Sequence, residues 1–315
     1  MHGSHDHSDH GDAPGHGAAQ HQHAPANFGT AFAVGTALNI ALVVAQISYG
    51  LLANSVALLA DAAHNFGDVL GLLLAWLAAF LGTRAPSLRR TYGWGRSSIL
   101  AALANATILL VGSGAIAIEA ARRLFDPQPV AGGMVMIVAA AGIVINALTA
   151  WLFSRGHDDL NIRATFQHMA ADAGVSLGVL VGAGLIALTG WLWIDPAISL
   201  VIVAVIIAGS WGVLREAANL AMDGVPDRIA HRDVDAWLRG LPGVVEVHDL
   251  HIWALSTTET ALTAHLVRDG AADDQALIRS ACTGLATRFN IGHATVQVES
   301  EDLATLCRLR PAEVV

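Results

Sequence analysis

The alternation of apolar and polar stretches divides the chain into two parts of different character. Up to residue 221, six apolar runs at 28–52, 56–81, 97–121, 130–153, 164–188 and 194–214 are separated by short polar connections. Each has at least the roughly 20 residues that cross about 30 Å of hydrocarbon at about 1.5 Å per helical residue, so six transmembrane helices are predicted. From residue 222 the pattern changes. Helical periodicity over 230–239 and 273–289, and alternation over 244–254, 260–267 and 295–299, predict the order αββαβ. That order suits a small sheet with helices on one face, an α+β domain of ferredoxin-like type, and about 90 residues suffice to bury its core. The predicted organisation is a polar tail at 1–27, a six-helix membrane domain at 28–221, a soluble α+β domain at 222–301 and a short tail at 302–315.

Against this apolar background the ionisable groups are costly. The second run holds Asp61, His64 and Asp68. A charged side chain at a membrane helix centre costs roughly 2.5–3.5 kcal/mol, so such groups face a bundle interior or a watery cavity. His64 and Asp68, four residues apart, share a helix face, and Asp61 lies on that face one turn earlier. The fifth run repeats the H-x-x-x-D spacing with His168 and Asp172. Two facing helices with these pairs would bring two imidazole nitrogens and two carboxylate oxygens to one point, a donor set that suits a tetrahedral divalent metal, zinc above all. A third carboxylate would leave bound zinc with a net negative charge. Asp61 is therefore read as lining the access route or relaying protons, not as a ligand. Asn39, Gln46, Asn105, Glu119 and Asn146, also inside the runs, are read singly as hydrogen-bonding between helices. Asn39 is in addition a candidate to orient the ligands from behind. Gly67, Gly71, Gly174, Gly178, Gly182 and Gly184 are expected to let the ligand-bearing helices approach closely.

Composition narrows the function classes. Hydrophobic residues make up 54% and charged residues 14% of the chain, too few charges for one soluble core. The net charge of −9 with His neutral argues against a nucleic-acid partner, which would want a basic patch. All 17 basic residues are Arg. In the membrane region they lie at Arg84, Arg89, Arg90 and Arg96 between runs two and three, at Arg155 and Arg163 between four and five, and at Arg215 after run six, against only Arg122 and Arg123 between three and four. Loops of this kind stay cytoplasmic, and an even number of spans agrees, so both termini are expected inside. No cleavable signal is evident in the first 27 residues. That stretch carries His2, His5, His7, His10, His16, His21 and His23 and reads as a disordered tail, either a weak metal collector beside the pore mouth or simply solvated. Cys282 and Cys307 are too few and too far apart for a disulfide framework, as expected of segments facing the cytosol. Cys307 is read as a small apolar residue, an added metal ligand being the alternative.

The two H-x-x-x-D pairs in the second and fifth of six spans, followed by a small α+β domain, resemble the cation diffusion facilitator family, specifically its zinc-transporting branch. Supporting stretches are Thr91-Tyr92-Gly93-Trp94-Gly95-Arg96, Asn161-Ile162-Arg163 and Val247-His248-Asp249-Leu250-His251-Ile252-Trp253. The resemblance runs from about residue 28 to residue 301. It implies a homodimer in the inner membrane that exports divalent metal from the cytoplasm in exchange for protons, with zinc as the transported and also a structural ion and no organic cofactor. A His where other branches have Asp, here His64, implies zinc preference, often shared with cadmium or cobalt. It further implies that His248, His265 and His293 are candidate metal ligands in the soluble domain, and that Arg96 and Asp223 form a charge pair near the dimer axis. Residues 83–96 contain neither His nor Asp, so no loop metal site is expected there. Ideal strand alternation puts His248 and His251 on opposite faces, which makes His248 the better candidate.

Charge balance suggests the coupling. With both carboxylates ionised and both histidines neutral the metal-loaded transport site is neutral, whereas the empty site holds two like charges and favours proton uptake. Metal then expels protons, and a bundle that opens alternately to either side exchanges one for the other. No G-x-x-x-x-G-K-[ST] motif is present to suggest ATP as the driving force. Two other classes compete: an intramembrane zinc metalloenzyme, for which H-E-x-x-H is missing, and a metal sensor that does not transport.

Overall fold

The computed structural model describes residues 30–154, 160–270, 273–305 and 307, except the side chains at 30–33, 150–154 and 160–170. The tail at 1–27 lies outside the described residues, as does most of 302–315. Six helices, α1 (Thr30–Leu52), α2 (Val56–Gly82), α3 (Ser97–Phe125), α4 (Gly132–Ser154), α5 (Leu160–Thr189) and α6 (Ile194–Ala221), are long and apolar enough to cross a membrane. Helix α6 runs a further two turns beyond the apolar run. Hydropathy falls at Arg215, but the following Glu-Ala-Ala-Asn-Leu-Ala contains no helix breaker, and the helix continues to Ala221. At the other end of the bundle, Ser55 caps α2 by accepting from the Leu58 amide at 3.1 Å.

Helix α4 packs along α5 and α3 along α6, while α2 lies against α1, α3 and α6 and meets α5 only over a short stretch. Their shared core comprises Leu58 and Ala60 of α2, Val135 and Ala139 of α4, Val179 and Ala183 of α5, and Ile202, Val203 and Ile206 of α6. These positions fall early in α2, α4 and α6 and late in α5, so the tight packing occupies the half of the bundle remote from the soluble domain. The expected role of the glycines is corrected here. Gly67 abuts Leu109 of α3 and Gly182 abuts Ile198 of α6, with no space for a Cβ, whereas Gly174 and Gly178 have no neighbour within 4 Å. Among these four, close approach serves the α2–α3 and α5–α6 contacts.

The soluble domain follows in the expected order: α7 (His231–Arg239), β1 (Val244–Ala254), β2 (Thr260–Arg268), α8 (Asp274–Phe289), β3 (His293–Glu299) and the single turn α9 (Glu301–Ala304). The sheet order is β1-β2-β3, with β1 antiparallel to β2 and β3 parallel to β2 through the α8 crossover. Val247, Ile252, Leu262 and Leu266 project from one face onto Val234 and Leu238 of α7 and Leu277, Ala281 and Leu285 of α8, forming a dry core. The opposite face is left to polar residues. The domain docks on the bundle through the β1–β2 turn. The Thr257 amide donates to Ser98 Oγ at 3.1 Å, Ile99 packs with Leu220 and Ala254, and Tyr92 meets His293 edge-on at 5.4 Å.

Candidate metal centres

In the membrane domain, the ligand atoms of His64 and Asp68 on α2 and Asp172 on α5 lie within 4.8 Å of one another. His64 Nε2 is 2.9 Å from Asp172 Oδ1 across the helix interface. The two side chains that meet are not equally sheltered: Asp172 is 3% exposed and His64 19%. His168 lies on α5 one turn before Asp172, but its side chain is outside the described residues. The helical repeat that places Asp172 opposite His64 thus also places residue 168 on the same face of α5.

Asp61 is one turn from His64 and fully buried. Its carboxylate accepts from Gln46 Nε2 of α1 at 2.7 Å and from Ser176 Oγ of α5 at 3.0 Å, while Asn65 Nδ2 donates to Gln46 Oε1 at 3.0 Å. All four side chains are buried, and together they tie three helices into one layer on the remote side of the metal-ligating group. Sequence reasoning placed Asp61 on the right face but did not find Gln46 or Ser176 as its partners, since nothing in local spacing pairs residues 115 positions apart. Of the other polar residues, Gln46 does bond between helices. Asn39 instead donates to Gly35 O in its own helix at 2.9 Å, and Glu119 pairs with Arg123 of its own helix at 2.8 Å. The Asn146 side chain is buried without a hydrogen-bond partner among the described residues.

The soluble domain carries a second cluster on its polar sheet face. Here the expectation that His248 and His251 point to opposite faces is overturned. His248 pairs with His265 and His251 with Thr263, so two residues of β1, Asp249 and Leu250, stand opposite one of β2. Asp249 takes a left-handed conformation, φ 52°, and the resulting bulge resets the alternation, so both histidines emerge on one face. The mid-strand Asp, a residue type depleted in strands, was the signal that would have found it.

Around the bulge, His251 Nε2 meets Asp249 Oδ1 at 2.7 Å, and His265 Nδ1 meets Glu299 Oε1 at 2.9 Å. The rings of His248 and His265 are 5.1 Å apart, centroid to centroid. Glu299 is 2% exposed at the end of β3 and went unnoticed in the sequence because the strand alternation there reads as ordinary. Neither ring nitrogen of His248 makes a hydrogen bond among the described residues, and neither does Glu299 Oε2, although all are buried. Buried donors and acceptors are rarely left so, and a cation would satisfy them. His293 begins β3 opposite Ala261, exposed and against Tyr92, apart from this cluster. Arg96 and Asp223 form an ion pair between the start of α3 and the second residue after α6.

Comparison with known proteins places these sites in context. The family model described as the cation efflux transmembrane domain matches residues 32–220, and that of the cation efflux protein cytoplasmic domain matches 226–301. The chain is 34% identical over 268 residues to the cation efflux system protein CzcD of Alcaligenes sp. (strain CT14), covering 84% of this chain and 85% of the relative. It is 34% identical over 271 residues to the zinc transporter ZitB of Escherichia coli (strain K12), covering 85% and 86%. It is 33% identical over 269 residues to the cadmium, cobalt and zinc/H(+)-K(+) antiporter of Bacillus subtilis (strain 168), covering 82% and 86%. Among solved structures, the metal-bound C-terminal domain of the CzcD transporter from Cupriavidus metallidurans is 36% identical and covers 22% of this chain and 99% of that one, at a TM-score of 0.22.

Proposed function

The chain belongs to the cation diffusion facilitator family of metal efflux proteins, and from that premise we propose that it exports zinc, with cadmium and cobalt as secondary substrates, in exchange for protons. It is a multi-pass membrane protein, and we place it in the inner membrane with both termini cytoplasmic. The membrane and soluble domains are taken as 28–221 and 222–301. Metal is held by His64, Asp68, His168 and Asp172. The observation that carries this reading is the meeting of His64, Asp68 and Asp172 across α2 and α5, three N/O donors inside a membrane domain whose isolated carboxylates would be costly.

Packing supports a direction of access. The remote half of the bundle is closed by the apolar core and by the Asp61–Gln46–Ser176 layer, while His64 keeps part of its surface open. This conformation suits loading from the side of the soluble domain. Zinc bound to two carboxylates and two neutral imidazoles makes a neutral unit, and protons take its place on the carboxylates when metal leaves. Asp61 lines the route beyond the ligands, and the layer it holds together parts when the bundle opens to the other side. In the soluble domain, His248 and His265 with Glu299 have the donors and the unfilled bonding capacity to hold a structural zinc. A dimer with the Arg96–Asp223 pair near its axis completes the proposed assembly.

In proteoliposomes with an imposed pH gradient, Asp68→Ala and Asp172→Ala should each abolish zinc-driven proton movement. Flux near the wild-type level in either variant would sink the shared-site reading. The same assay decides between a transporter, an intramembrane enzyme and a sensor that moves no metal.

A further inference from the structure

The geometry points to Cys307 as a thiolate ligand of the soluble-domain metal, joining His248, His265 and Glu299 in a four-donor site. This rests on the reading of the chain as a zinc-handling protein and adds a residue and a chemical preference to it. After β3, the turn α9 buries Ala304 completely, and the Cys307 amide donates back to Ala304 O at 3.2 Å. The chain reversal brings Cys307 Sγ onto the polar face of the sheet, 3.8 Å from His265 Nδ1. Ligand atoms of His248, His265 and Cys307 lie within 4.8 Å of one another.

Two of the spacings come close to those of a tetrahedral shell. With metal–nitrogen bonds of about 2.0–2.1 Å and metal–sulfur of about 2.3 Å, neighbouring ligands sit roughly 3.3 Å apart for N with N or O and roughly 3.6 Å for N with S. Here His248 Nε2 is 3.5 Å from Glu299 Oε2, and Cys307 Sγ is 3.8 Å from His265 Nδ1. A second observation is independent of the cysteine. His248, whose side chain is 3% exposed, has both nitrogens without a hydrogen bond among the described residues, and so has Glu299 Oε2. Among the described residues these atoms have only carboxylate and imidazole contacts at 3.5 Å, too long for hydrogen bonds, and buried polar groups seek a closer partner. Two neutral imidazoles, one carboxylate and one thiolate neutralise a divalent ion, and the thiol proton is released to solvent on binding. A thiolate favours soft borderline ions, so the site should hold zinc, cadmium or cobalt and disfavour manganese or magnesium.

The test uses the full-length protein loaded with cobalt(II), whose bond to a thiolate gives a charge-transfer absorption in the near ultraviolet that nitrogen and oxygen ligands do not give. The wild type should show this band. It should vanish in Cys307→Ser and persist in Cys282→Ser and in Asp172→Ala. Absence of the band in the wild type, or its survival in Cys307→Ser, overturns the assignment while leaving the transport reading untouched. Failure of the transport reading would appear separately, as retained zinc flux in Asp172→Ala with the band intact. Zinc should also shield Cys307 from maleimide in the wild type, and His248→Ala should abolish that shielding. Equal maleimide labelling with and without zinc in the wild type would likewise refute ligation.

Discussion

A single carboxylate organises the remote end of the bundle. Asp195, at the start of α6 and 3% exposed, accepts from Ser55 Oγ at 2.5 Å and from the Val56 and Ala57 amides at 2.7 and 3.4 Å. Those amides belong to the first turn of α2, where backbone donors have no partner within the helix and the dipole favours a negative charge. Asp195→Ala would strand them in a buried place at a cost of about 1–3 kcal/mol. A lowered midpoint of thermal unfolding in detergent is expected, with Ser55→Ala losing about 1 kcal/mol through its cap alone. An unchanged midpoint in Asp195→Ala would show that water replaces the carboxylate. Nothing in the sequence announced this contact, which joins positions 140 apart, whereas His64 and Asp68 were legible because one helix turn separates them.

Elements were readable where a period decides them. Six apolar runs and five alternating or amphipathic segments needed only the repeats of helix and strand, and the structure has those elements in that order. The period fails at the bulge in β1, and with it failed the separation of His248 from His251, because one left-handed residue at Asp249 shifts everything after it to the other face. Asp tolerates that conformation, but a β-branched side chain does not. Asp249→Val should therefore cost about 1–2 kcal/mol in the soluble domain. Hydrogen exchange would show it as faster exchange of the β1 amides from Val247 to Ile252, while β2 and β3 amides beyond Leu266 and Val298 change less. Uniform protection across the sheet would mean that β1 absorbs the substitution without re-registering.

At the scale of the molecule, the two domains meet closely at one glycine. Gly95 lies so close to the β1–β2 turn that a Cβ there would stand 2.7 Å from the Leu255 carbonyl oxygen, and the Ser98–Thr257 bond and the Arg96–Asp223 pair flank it. Gly95→Ala should push the turn away. Amide exchange at residues 255–259 should accelerate in that variant while the core of the soluble domain stays protected; unaltered exchange in the turn would mean the junction yields elsewhere. Arg96 and Asp223 are about half exposed, so within one chain their pairing contributes at most about 1 kcal/mol. These contacts hold the soluble domain against α3 and α6, whereas Asp195 fastens the opposite end of α2. A helix that pivots about that end behaves as a lever, once the 3.3 Å bond from Ser97 Oγ to Ala78 O near its far end lets go. At about 1.5 Å per residue, His64 lies roughly 13 Å from that fulcrum and Gly82 roughly 40 Å. Tilting α2 by a given angle therefore sweeps its far tip about three times as far as His64 and about twice as far as Asp68, so a mouth can open on the side of the soluble domain with smaller movements at the ligands.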